Sequence, residues 1–139
     1  MLDKDRILVK IDEMDGYLKD LNRIVPPDFS DYRKVEIKRS SERLIQLSVE
    51  CVIDICRQLV KGLSLGLPAG ENDIYTKLLN AEIITEETAS LLQNMQGFRN
   101  ILVHEYGVVD DELVFEIIST RLKDFQVFKK EILSYLRDQ

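Results

Sequence analysis

Apolar residues at Ile7, Ile11, Met14, Leu18 and Leu21 recur in steps of four and three, which lays them along one side of an amphipathic helix from Leu2 to about Ile24. Pro26-Pro27 ends that helix. Ser30 or Asp31 can cap the next, which runs to roughly Gly62 before Gly66, Pro68 and Gly70 break the pattern. Two apolar rows line this second helix, Ile45-Val49-Val52-Cys56-Val60 and Leu44-Leu47-Cys51-Ile55-Leu59, so it is predicted to be the central element. Its remaining face is a narrow polar ribbon of Arg43, Gln46, Glu50, Asp54, Arg57 and Lys61, either in solvent or lining a cleft.

A short helix around Asp73 to Asn80 carries Ile74 and Leu78 inward. Thr85 then reads as an N-cap, with Glu86 and Glu87 favourable in the first turn of a helix whose core stripe is Leu91, Met95, Phe98 and Leu102. Gly107 is placed to stop it. Asp110-Asp111 open a final helix with Val114, Ile118, Leu122, Phe125, Ile132 and Leu136 inward. The expected fold is all-α: an up-and-down bundle of four main helices plus one short helix, forming a single domain over residues 1–139.

Composition agrees with that expectation. The chain has 139 residues, 45% hydrophobic and 32% charged, enough for one apolar core, and only six glycines and three prolines interrupt it. Neither a leader-like segment nor a bilayer-length apolar run is evident, so the cytoplasm is the expected compartment and no membrane partner is expected. Cys51 and Cys56 lack the spacing of a zinc or redox motif and read as core thiols. The formal net charge of −6 disfavours generic nucleic-acid binding, so any such site must be local. One basic patch, Arg33, Lys34, Lys38, Arg39 and Arg43, stands near the start of the second helix. Arg39 and Arg43 are its candidate RNA-backbone contacts, while Glu36 and Glu42 dilute it into what a solvated face would also look like.

The chemistry concentrates between Gly97 and Gly107. This segment holds the chain's one histidine, His104, close in sequence to Arg99, Asn100 and Tyr106. A side chain that exchanges protons near neutral pH next to a permanent cation is what acid–base chemistry on a phosphate requires. Five helical positions turn roughly 140°, so Arg99 and His104 fall on different faces, whereas Asn100 and His104 share one with Gln93, Gln96 and Gly97. The plainer alternative has His104 capping carbonyls at the helix end and Arg99 pairing with an acid. Metal ligation is disfavoured, because one histidine is a poor ligand set and Ile101 occupies the position a Glu-x-x-His pair would need.

The run Arg99-Asn100, then His104-Glu105-Tyr106, resembles the Arg-x-x-x-x-His-x-Tyr motif of HepT-like toxins, a branch of the HEPN superfamily. Ser41-Glu42-Arg43-Leu44-Ile45-Gln46, Glu50 and Asp54 are similar to the family's second helix, and the helix order agrees across nearly the whole chain. The resemblance implies a toxin of a toxin–antitoxin system, a metal-independent endoribonuclease without cofactors. It further implies a homodimer whose two motif-bearing helix ends meet around a shared cleft. Arg99 and His104 would be catalytic and Asn100 would orient the site. A nucleotidyltransferase antitoxin of the MntA type would silence the toxin by transferring AMP onto Tyr106.

Elementary chemistry is consistent with that inference. Metal-free RNA cleavage needs a base for the 2′-hydroxyl, an acid for the 5′-oxygen and positive charge for the phosphorane. One chain supplies one histidine, so either His104 acts twice or two copies divide the work across a twofold interface. Negative charge and bulk added at Tyr106 would repel the substrate phosphate, although an aromatic there can also simply close the helix end against the core. The principal alternative is a non-catalytic helical scaffold that partners a nucleotidyltransferase. A small-molecule enzyme is disfavoured by the lack of a glycine-rich phosphate loop or a carboxylate cluster.

Overall fold

The computed structural model describes residues 1–103 and 109–139, and among these the chain is all-α with seven helices. They are α1 (Lys4–Ile24), α2 (Phe29–Tyr32), α3 (Val35–Gly62), α4 (Glu71–Asn80), α5 (Glu86–Val103), α6 (Asp111–Thr120) and α7 (Lys123–Arg137). Asp3 caps α1 by accepting from the Arg6 backbone N–H at 3.1 Å. All five stripe residues of α1, Ile7, Ile11, Met14, Leu18 and Leu21, are buried, mainly against α3.

Helix α3 is the hub and touches α1, α2, α4, α5 and α6. Its first apolar row is buried throughout, and Cys51, Ile55 and Leu59 of the second row are buried as well. Leu44 and Leu47 are only half-buried. Ile53, which neither row includes, is buried too. Each fully buried Leu, Ile or Phe contributes about 1.5–3 kcal/mol relative to exposure, so this continuous apolar girth is what holds the domain together. Both cysteines are free and buried. Burial pushes the Cys51 thiol up to about 11 and the Cys56 thiol higher still, so both stay protonated at neutral pH.

Two boundaries differ from the sequence expectation. Neither Ser30 nor Asp31 caps the long helix; both lie inside α2, whose turn closes through Tyr32 N–H to Asp28 O at 3.2 Å and Arg33 N–H to Phe29 O at 3.1 Å. The Tyr32 ring drives this: it is buried, with ring centroids 6.3 Å from Phe29 and 5.2 Å from Phe115. The last helix is also two helices rather than one. Arg121 leaves helical geometry at φ −113°, ψ 0°, and the chain restarts at Lys123. The bundle of four main helices and one short helix thus becomes seven elements, through one added turn and one split. Asp110 caps α6, accepting from the Glu112 and Leu113 N–H groups at 3.1 and 3.2 Å. Among the described residues no helix is long and apolar enough to cross a membrane.

Candidate functional site

The site is built on α5, whose start is fixed from a distance. Thr85 Oγ1 accepts from the Thr88 N–H at 3.2 Å, as the N-cap expectation requires. The Thr85 N–H itself donates to Glu131 Oε1 on α7 at 2.8 Å, and the buried Thr88 hydroxyl donates to the same carboxylate. From that anchor the helix buries Ala89, Leu92, Met95 and Phe98. Leu92 takes the core position that the expected stripe assigned to Leu91, which is half-buried on the rim of an apolar cleft of about 400 Å³. Neither Arg99 nor Asn100 lines that cleft.

The outward face carries Gln93, Gly97 and Asn100, all exposed, with Gln96 half-buried and Ile101 50% exposed. A Cβ placed on Gly97 would meet nothing within 4 Å, so this strip lies open. Arg99 points elsewhere. Its Nη2 donates to both oxygens of Glu71, at 2.8 Å each, and its side chain is only 18% exposed. Glu71, the first residue of α4, also accepts from Arg57 Nη2 at 3.2 Å. Arg57 belongs to the polar ribbon of α3, so one carboxylate ties α3, α4 and α5 together, and at this end the ribbon leads to Arg99. The Tyr75 hydroxyl is buried nearby without a partner among the described residues, and its pKa is raised, chiefly by burial.

The other candidates divide. In the basic patch Lys38 donates to Asp111 at 3.1 Å and Arg39 to both oxygens of Glu42 at 3.0 and 3.1 Å, while Arg43 is exposed. Lys38 therefore serves to hold α6 against α3. His104, Glu105, Tyr106 and Gly107 lie outside the described residues. Glu71 is the residue that sequence reasoning missed. The sequence allows Arg99 to pair with some acid, but nothing in the helical periodicity singles out a carboxylate 28 positions upstream. Among the described residues no group of three or more His, Cys, Asp or Glu could hold a metal ion.

The sequence profile of the ribonuclease HepT-like family matches residues 14–132. This chain belongs to the HepT-like ribonuclease family. It is 30% identical over 131 residues to the tRNA nuclease HepT of Aphanizomenon flos-aquae, a match covering 94% of this chain and 89% of that protein. It is 32% identical over 84 residues to the mRNA nuclease HepT of Shewanella oneidensis, covering 60% of this chain and 63% of that one. The structure superposes with a TM-score of 0.84 on the tri-AMPylated HEPN toxin of Shewanella oneidensis solved in complex with its MNT antitoxin, at 27% identity over 92% of this chain and 96% of that one. The HepT-like assignment expected from the Arg99-to-Tyr106 motif is thereby established, and with it the HEPN-like fold.

Proposed function

We propose that this HepT-like chain is the toxin of a toxin–antitoxin pair: a cytoplasmic, metal-independent endoribonuclease that works as a homodimer. The observation that carries the reading is the match to a tRNA nuclease along 94% of the chain, together with an intact Arg99, Asn100, His104 and Tyr106 pattern. In the reaction His104 takes the proton of the 2′-hydroxyl, the 2′-oxygen forms a bond to phosphorus, and the bond to the 5′-oxygen breaks as that oxygen receives a proton. Arg99, through the donors of its guanidinium, stabilises the extra negative charge of the phosphorane. Asn100, on the exposed strip of α5, orients the substrate or His104. Arg39 and Arg43 contact the RNA backbone at a distance from the chemistry.

The open strip of Gln93, Gly97, Asn100 and Ile101 supports a dimer in which two copies of α5 approach each other. A twofold axis beside this strip would bring two His104 imidazoles into one cleft, one as base and one as acid. A nucleotidyltransferase antitoxin of the MntA type is the partner, silencing the enzyme by AMP transfer onto Tyr106. The relative solved as a tri-AMPylated toxin with its antitoxin supports this part.

A mixed dimer of one wild-type and one His104→Ala chain tests both nuclease and dimer. Divided labour predicts less than about a tenth of wild-type activity per dimer; near-half activity means one histidine suffices. Full cleavage by a dimer of two His104→Ala chains removes His104 from the reaction, and no cleavage by the wild-type dimer leaves the scaffold alternative, which the structural pairing of Arg99 with Glu71 would also suit.

A further inference from the structure

We propose that Glu71 is the positioning residue for Arg99, holding its guanidinium in the orientation that meets the scissile phosphate, with Arg57 sharing the same carboxylate. The inference rests on the reading of Arg99 as the phosphate-stabilising arginine. An arginine side chain has several freely rotating bonds, and a phosphate ligand must immobilise them unless the protein has already done so. Glu71 does so here: both of its oxygens take the same nitrogen, Nη2, at 2.8 Å, on a side chain only 18% exposed. The Nε is buried and has no partner among the described residues, so the inner part of the head is out of solvent.

The contact is not the two-nitrogen fork by which a structural arginine usually grips a carboxylate. Glu71 engages one nitrogen and leaves the rest of the planar head outside the pair. A lone Arg99–Glu71 pair would be electrically neutral and would offer little to a phosphate. Arg57 donates to the same carboxylate at 3.2 Å and lies 3.9 Å from Asp54, so Glu71 is shared between two arginines and Arg99 is not its sole counter-charge. Glu71 starts α4, and α4 packs against both α3 and α5, so the carboxylate sits on rigid elements rather than on a loop.

The test compares steady-state RNA cleavage by wild type, Glu71→Gln, Arg99→Ala and the double variant, with and without millimolar guanidinium chloride. Glu71→Gln is expected to lower kcat by about 10–100-fold with KM nearly unchanged. Guanidinium should partly rescue Arg99→Ala, because Glu71 still offers it a seat, and should not rescue the double variant. Wild-type kcat or faster in Glu71→Gln, while Arg99→Ala is inactive, overturns the positioning role and leaves the nuclease reading standing. Cleavage retained by Arg99→Ala overturns that reading itself. Should Glu71→Gln fail to fold, Glu71→Asp makes the same comparison, since it keeps the charge and withdraws it from Nη2: a fall in kcat at unchanged melting temperature supports the role, and an unchanged kcat rejects it.

Discussion

Arg99 and Glu71, 28 residues apart in sequence, are joined through a single guanidinium nitrogen that donates to both carboxylate oxygens at 2.8 Å. The pair makes the identity of the cation matter beyond its charge. Arg99→Lys keeps the charge but replaces a planar head by a compact ammonium, which cannot hold Glu71 and face a phosphate at once. Cleavage should fall by at least about 10²-fold. Because Glu71 retains Arg57, stability should change by only about 0–1 kcal/mol. Circular dichroism melting beside a cleavage assay checks both halves, and an active Lys variant would mean that charge alone suffices.

A second relationship concerns the start of the same helix. Glu131 receives the Thr85 N–H at 2.8 Å and the hydroxyl of Thr88, which is fully buried. Glu131→Ala leaves that hydroxyl and an N-terminal N–H without this partner and should cost about 1–3 kcal/mol in urea unfolding, with Glu131→Gln costing less. An unfolding midpoint indistinguishable from wild type in Glu131→Ala would show that the carboxylate does not anchor α5.

Tyr32 offers the opposite case. Its hydroxyl is buried and has no partner among the described residues, whereas its ring packs against both Phe29 and Phe115. Tyr32→Phe should therefore be neutral or stabilising by up to about 1 kcal/mol, since it removes a desolvated group that gains nothing. Tyr32→Ala should cost about 3–5 kcal/mol. Equal losses in the two variants would refute this account of α2.

Alkaline conditions should weaken the fold. The Cys51 thiol is raised from 9.0 to about 11 by burial, and burial likewise raises Cys56, Tyr32 and Tyr75. In the unfolded chain these groups release their protons at ordinary values, so the folded state binds more protons in between. The stability they confer is complete below pH 9 and is lost as pH rises through the folded values, beginning between 9 and about 11. Urea midpoints measured from pH 7 to 10.5 should fall above pH 9; a flat profile would contradict the burial of these groups. Alkylation by iodoacetamide at pH 8 should likewise require unfolding.

The parts of this molecule that could be read from the chain are those set by local periodicity. The stripe of α1 and the end of α3 at Gly62 follow from spacing and from helix breakers, and the Asp110 and Thr85 caps from residue type. The break between α6 and α7 was not legible, because Ile118, Leu122 and Phe125 continue the four-and-three spacing straight through Arg121 and no proline or glycine marks it. Helix α2 depends on Tyr32 meeting Phe115, a contact across 83 positions that no window contains. The same holds for the site. Arg99 was recognisable from its neighbours in the motif, whereas Glu71 reaches it only through the packing of α4 on α5.

Incubation of the purified protein with total tRNA and mRNA in EDTA, wild type beside His104→Ala, decides whether this chain is a metal-independent nuclease. The wild type should yield discrete RNA fragments at a rate unaffected by the chelator, and the variant should lose at least about 10²-fold. Equal cleavage by both proteins, or cleavage abolished by EDTA and restored by a divalent cation, would contradict that reading.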